Sequence, residues 1–186
     1  MKYLSLLFIV FIGVSAQAQK EKKQKFAPLN LKNAVIVGHL DNPDERYSLE
    51  INMTDLFSNY GVTCTPSLNL LKMGSDSREL ANDSIIETVK AEGYDTYVLF
   101  TVKGYDRRFK VSNLGDDFAT AIDQGSFYEL HRLDVVSVSF EIKFFRDGKC
   151  VNAEIVKCGN VSDRETVLKR LRKKVGKRLK KSWRKS

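Results

Sequence analysis

The sequence predicts a mixed α/β fold (α+β, mixed sheet) with helices packed on the sheet. Three observations carry this expectation. Apolar residues at helical spacing alternate with short β-branched runs. Glycine or proline closes most of these runs. An Asp-Gly hairpin signal then joins two strand-like segments near the C-terminal end. The order reads β-α-β-α-β, an excursion, then β-β-α.

Ala34-Val35-Ile36-Val37 is a short apolar run typical of a buried strand, ending at Gly38-His39-Leu40. Asp41-Asn42-Pro43-Asp44-Glu45 then offers a helix start, with a capping side chain, a first-turn proline and acids at the positive end of the macrodipole. Leu49, Met53, Leu56, Phe57 and Tyr60 form one helical face, and Gly61 stops it. Val62 to Thr65 is a short strand closed by Pro66. A second helix is expected from Ser77 to Glu92, with Ala81, Ile85 and Val89 as its stripe. Thr96 to Val102 is apolar on both faces, as a central strand covered on two sides must be. Val136, Val138, Phe140, Ile142 and Phe144 alternate with Ser137, Ser139, Glu141 and Lys143, which predicts a half-buried strand with a polar, solvated side. Asp147-Gly148 turns it into its partner, Cys150 to Cys158. Ser162-Asp163-Arg164-Glu165 reads as a capping box opening a last helix that runs to about Lys181.

The ends differ from the body. Lys2, an apolar run from Leu4 to Val14 and Ala16-Gln17-Ala18 have the layout of a cleaved signal peptide, residues 1–18. The run is too short to span a bilayer, which takes about 20 residues. Residues 19–32 are a polar, basic leader, 33–181 a single domain with an excursion or extra hairpin at 104–133, and 182–186 a basic tail. The first cysteine is Cys64, so no lipobox follows the cleavage site. The expected product is exported, periplasmic or secreted, soluble and not a lipoprotein. The 42% hydrophobic content argues against disorder of the whole chain. Asp163 to Ser186 holds twelve Lys/Arg against two acids, a net of +10; residues 20–25 contribute +3 and Lys2 +1. Against a whole-chain charge of +8, the body from Phe26 to Ser162 stands at −6.

Several residues carry a further likeness. Ala34-Val35-Ile36-Val37, a helix with Glu50 and Leu56, Tyr60-Gly61-Val62-Thr63, Thr65-Pro66-Ser67 and Gly93-Tyr94-Asp95-Thr96-Tyr97-Val98-Leu99 together resemble small bacterial envelope proteins. These are related in architecture to the N-terminal domain of TolB and to the periplasmic domain of the curli secretion channel CsgG. The resemblance spans roughly residues 33–103. Its motifs are structural and transfer no catalytic residue. It implies a non-catalytic envelope module with a protein partner.

Catalytic motifs are sparse. The chain has no GxGxxG, no phosphate-binding GxxxxGK[ST] and no GxSxG elbow, and the first strand-helix turn is acidic where an anionic cofactor needs glycines. Two histidines are too few for an ordinary zinc site. His39 with Asp41 and Asp44, or Asp116, Asp117 and Asp123, could hold a metal loosely, but neither has the spacing of a known site. Cys64 with His39 or His131 is the one thiol-imidazole pairing to consider, against a buried structural thiol. Cys150 and Cys158 lie ~26 Å apart along one strand, so any disulfide would join Cys64 to one of them. No cofactor, no metal and no catalytic residue is expected, and nucleic acid is not expected as a partner of an exported protein.

Two surfaces remain as candidates. Tyr105, Arg107, Arg108, Phe109, Phe127, Tyr128 and Arg132 in the excursion make the aromatic-plus-arginine mix of interface hot spots. In the last helix, Leu168, Leu171, Val175, Leu179 and Trp183 form a narrow seam, while Lys173, Lys174, Lys177, Arg178, Lys180, Lys181, Arg184 and Lys185 could meet an anionic membrane or envelope surface. The seam is expected to pack on the sheet over residues 166–179, leaving 180–186 free. The expected function is therefore a non-enzymatic exported envelope protein that binds an envelope protein or surface. The alternative is a small periplasmic hydrolase or ligand-binding protein with a site near His39 and Asp41, at the carboxyl ends of the strands.

Overall fold

The computed structural model describes residues 28–72, 74–112, 114–124 and 128–184; the expected signal peptide, most of the leader, Phe127 and Lys185 lie outside them. Five strands form one mixed sheet, as the sequence predicts. They are β1 (Asn33–His39), β2 (Thr63–Pro66), β3 (Thr96–Tyr105), β4 (Ser137–Arg146) and β5 (Lys149–Gly159), in the spatial order β2-β1-β3-β4-β5. β1 runs parallel to β2 and β3, while β3–β4 and β4–β5 are antiparallel. The parallel strands are joined through helices and the antiparallel pair β4–β5 through the Asp147-Gly148 turn, as chain connection requires.

Helices cover both faces. α1 (Pro43–Asn59) and α4 (Arg164–Arg178) lie on the first face, where Leu49, Met53, Phe57, Leu171 and Val175 pack against Ile36, Phe100, Phe140, Ile142 and Phe144. A 3₁₀ turn (Ser77–Ala81), α2 (Asp83–Ala91) and α3 (Phe118–Asp123) lie on the second, with Leu80, Val89, Phe118 and Ile122 against Val35, Val37, Leu99 and Phe145.

Local chemistry sets the boundaries. Asn42 caps α1 by accepting from the backbone N–H groups of Asp44 and Glu45 at 3.0 and 3.2 Å, with Pro43 in the first turn. The helix expected over Ser77 to Glu92 is split. Asn82 takes an extended backbone (φ −71°, ψ 135°), so a 3₁₀ turn capped by Asp76 precedes a shorter α2. At the last helix the cap is Asp163, whose carboxylate accepts from Thr166 N–H at 2.7 Å, rather than Ser162; the Ser162 hydroxyl donates to Asp163 instead.

The last helix ends on a π turn (Leu179–Trp183), closed by an Arg184 N–H to Leu179 carbonyl bond of 3.4 Å. Its buried side chains are Val167, Leu171, Val175, Leu179 and Trp183, with Leu168 only half-buried. A four-residue step on a regular α-helix overshoots one turn by about 40°. The wider last turn takes up part of that drift and keeps Trp183 on the core. The expectation that 180–186 stand free therefore fails at Trp183, which is 1% exposed. The end of the leader is packed as well: Leu29 and Leu31 are buried, and Leu31 N–H donates to the Trp183 carbonyl at 2.9 Å.

Between β3 and β4 the chain leaves the sheet and returns over its second face. The register slips between Val102 and Gly104, and the Gly104 backbone has φ +139°. A Cβ there would come within 2.6 Å of the Phe109 ring, so glycine lets the tip of that ring meet the strand.

Candidate functional site

The second face of the sheet changes character along its strands. Over β1 and the start of β3 it is apolar. Further along, it carries His39, Thr101, Lys103, Ser139, Glu141 and Lys143, and His39, Thr101 and Glu141 share one row across β1, β3 and β4. The alternation of β4 predicts these polar side chains in solvent. Instead Ser139, Glu141 and Lys143 are 0%, 4% and 5% exposed, because the excursion folds over them. Glu141 is the fastening point: it accepts from Ser112 N–H at 2.5 Å, Ser112 Oγ at 2.7 Å and Lys103 Nζ at 3.2 Å. Lys143 Nζ lies 3.7 Å from Asp116. A cavity of about 270 Å³ remains beneath this cover, lined by His39, Thr101, Lys103, Ser112, Glu141 and Lys143 and, on its apolar side, by Leu99, Val102, Ala121 and Tyr128.

His39 is buried, with Nδ1 3.0 Å from Ser77 Oγ, and Nε2 has no partner among the described residues. The Ser77 hydroxyl also lies 3.5 Å from Asp76 Oδ1. Burial pushes the imidazole below its usual 6.5; Arg78 and Arg46 add to that, while Asp76 and Asp41 oppose it. The unfolded chain therefore holds more protons than the folded one below about pH 6.5, and stability falls as pH drops through that range. Urea unfolding from about pH 7.5 to about pH 5 should show this decline, and H39Q should flatten it.

A cavity thus lies beside His39, but the companions expected for it are elsewhere. Asp41 is exposed and does not line the cavity. Cys64 lies on β2 at the far edge of the sheet. Asp116 pairs with Lys143, Asp123 with Arg78, and Asp117 caps α3 through Thr120. Among the described residues no group of three or more His, Cys, Asp or Glu could hold a metal ion. Cys64 and the β5 cysteines sit at opposite edges, four strand spacings of about 4.8 Å or roughly 19 Å apart, so the disulfide left open by sequence spacing is out of reach. Burial pushes the Cys158 thiol up to about 11.

The excursion residues divide. Phe109 is committed to Gly104. The Tyr105 hydroxyl donates to the Glu129 carbonyl at 2.6 Å; its ring meets Tyr128 edge-on at 5.6 Å and carries the Arg132 guanidinium 5.7 Å from its centre. Arg107, Arg108 and Arg132 are exposed. Tyr105, Arg107, Phe109, Tyr128, Arg132 and Leu133 line a surface groove of about 670 Å³. Leu133 and Val136 are 86% and 65% exposed and Tyr128 44%. Sequence reasoning missed Leu133 and Val136, since an aliphatic residue beside a strand reads as core.

On the last helix, Lys173, Lys177, Lys180, Lys181 and Arg184 are exposed. Lys174 and Arg178 are half-buried, and Arg178 is tied to Glu154 at 2.6 Å. Arg172 binds Asp55 at 2.6 Å and the Asn52 carbonyl, locking α4 to α1. Among the described residues no helix is long and apolar enough to cross a membrane.

The chain matches no known family model and no curated protein sequence. Its fold is similar to that of the lipoprotein GNA1162 from Neisseria meningitidis, at 14% identity and TM-score 0.42, covering 81% of this chain and 99% of that one. It is also similar to PelC, solved as a dodecamer from Paraburkholderia phytofirmans, at 14% identity and TM-score 0.44, covering 87% of this chain and 94% of that one. Likenesses this distant transfer no residue role to this chain.

Proposed function

We propose that this chain is a non-enzymatic protein-binding module of the bacterial cell envelope, docking a partner through the groove and rim of the excursion. The single observation that carries the reading is the clustering of exposed apolar side chains. Tyr128, Leu133 and Val136 gather in one short segment beside Arg107, Arg108 and Arg132. Arginines around an apolar patch suit a partner surface that is acidic and partly apolar. The motif resemblance to envelope modules supports the location. The exposed Lys173, Lys177, Lys180, Lys181 and Arg184 favour an anionic surface nearby, at about 1 kcal/mol for each cation close to it. Crosslinking from a photoreactive residue at position 133, with one at the exposed Tyr47 as control, tests the docking face: adducts are expected from the first and not from the second.

A further inference from the structure

We infer that the groove where β1 begins and the last helix ends binds the phosphate monoester headgroup of an anionic lipid, held by Lys32, Lys180 and Arg184. The inference rests on the reading that an anionic surface lies nearby and gives that surface a site; protein docking at the rim is independent of it. Its basis is an opening of about 510 Å³ that has Lys32, Lys180 and Arg184 in its lining, with Leu31 and Leu179, and no acid among the described residues around it.

Three cations without a counter-charge need a reason in a body with surplus acid. Elsewhere Arg46, Arg164, Arg172 and Arg178 each meet a carboxylate at 2.6 to 3.0 Å. Lys32, Lys180 and Arg184 meet none among the described residues. Nor are they spent as helix caps. Two helices end beside the groove, and carbonyls in their last turns take backbone donors instead: Phe57 from Tyr60 and Val62, Ser58 from Gly61, Leu179 from Arg184, and Trp183 from Leu31. The frame is held firmly. The Lys32 carbonyl accepts from Thr63 N–H at 2.8 Å, which ties its backbone to β2. Arg184 lies over Gly61, where a Cβ would meet its Nη2 at 3.3 Å and Cζ at 3.5 Å, so glycine gives the guanidinium its seat.

Convergent cations suit a phosphate monoester, which carries about −1.5 to −2 at pH 7 and offers three acceptor oxygens. At roughly 30 Å³ per water-sized group, the opening exceeds a bare phosphate and leaves room for the glycerol that bears it. What leads to the groove favours a lipid over a soluble phosphate. Lys173, Lys177, Lys180 and Arg184 are exposed and follow at helical spacing, so a row of cations runs along the last helix into it. A planar anionic surface can meet the whole row, and a free ion cannot.

The test is flotation of the protein as recovered from cells with phosphatidylcholine vesicles that contain either phosphatidic acid or phosphatidylglycerol, matched in surface charge. The readout is the preference between them, which diffuse attraction to a charged plane does not produce. Phosphatidic acid should bind about tenfold or more tightly, as expected for one additional charge-assisted hydrogen bond. K32Q/R184Q, at exposed positions, should melt with the wild type and lose the preference. K180Q, a lighter change, should reduce it. K173Q/K177Q, outside the groove, should weaken both lipids alike and keep it. Glycerol 3-phosphate, the same monoester without acyl chains, should bind about tenfold or more weakly than the phosphatidic acid vesicles. The inference is overturned if the two vesicles bind equally, if the preference survives in folded K32Q/R184Q or K180Q, or if glycerol 3-phosphate binds as tightly as the vesicles. Equal binding to both vesicles would remove the groove and leave the anionic surface standing; no binding to either would remove both. Crosslinking from position 133 is unaffected by any of these outcomes.

Discussion

Replacing Glu50 by alanine is expected to destabilise the domain by about 3–5 kcal/mol, the cost of stranding a buried charge. Glu50 is fully buried on α1 beneath the carboxyl end of β1. Its Oε1 accepts from Gly38 N–H at 2.9 Å, Arg46 Nε at 3.0 Å and Ser67 Oγ at 2.6 Å, and its Oε2 from Leu68 N–H at 3.1 Å. Arg46, 6% exposed, also reaches the Ser75 carbonyl and Ser67 Oγ. One carboxylate thus joins α1, the end of β1 and the chain leaving β2. Removing it leaves Arg46 without its counter-charge and the Gly38 and Leu68 N–H groups without an acceptor. The double variant R46M/E50L removes both charges and should cost less than E50A. Urea denaturation decides: a loss below about 1 kcal/mol for E50A would show that water replaces the carboxylate at no great cost.

Trp183 should matter nearly as much. W183A is expected to cost about 3–5 kcal/mol, in the range for truncating a large buried aromatic. The indole stands 4.8 Å from the Phe144 ring and 6.2 Å from Phe57, and its Nε1 donates to Glu154 at 2.8 Å. Glu154 also holds Arg178, so the same variant loosens the end of α4. K181E, on the exposed side of the same turn, should fall within about 0.5 kcal/mol of wild type. Thermal unfolding of the two variants separates packing from charge; equal losses would contradict the placement of Trp183. Deleting Lys180 to Ser186 would therefore disrupt the core as well as remove cations. Charge reversal at Lys173, Lys177 and Lys181 is the cleaner probe of surface binding.

The sheet was legible because its signals are local. A β-branched run, a capped helix stripe and an Asp-Gly turn each announce themselves within a dozen residues, and their order fixes the connections. The seam reaching Trp183 was legible too, since steps of four continue through Val175 and Leu179. What sequence could not convey was the widened last turn that puts the indole on the core. The cavity was hidden for another reason. Alternation along β4 shows that one side is polar, but not that residues 106–136 return to cover it. That depends on Ser112 meeting Glu141, a contact between residues far apart in the chain. The Arg46–Glu50 pair left a faint signal: charges four residues apart on the helical stripe that continues through Met53 and Phe57.

The docking reading rests on which face meets the partner. A photoreactive residue at position 133 probes the rim, one at Tyr47 an exposed apolar site on α1, and one at Lys177 the basic face. Crosslinking in intact cells should give a discrete adduct from position 133, reduced by R132E, with none from position 47. An adduct pattern that is the same from positions 47 and 133, or that comes from position 177 alone, would contradict the rim as the docking surface.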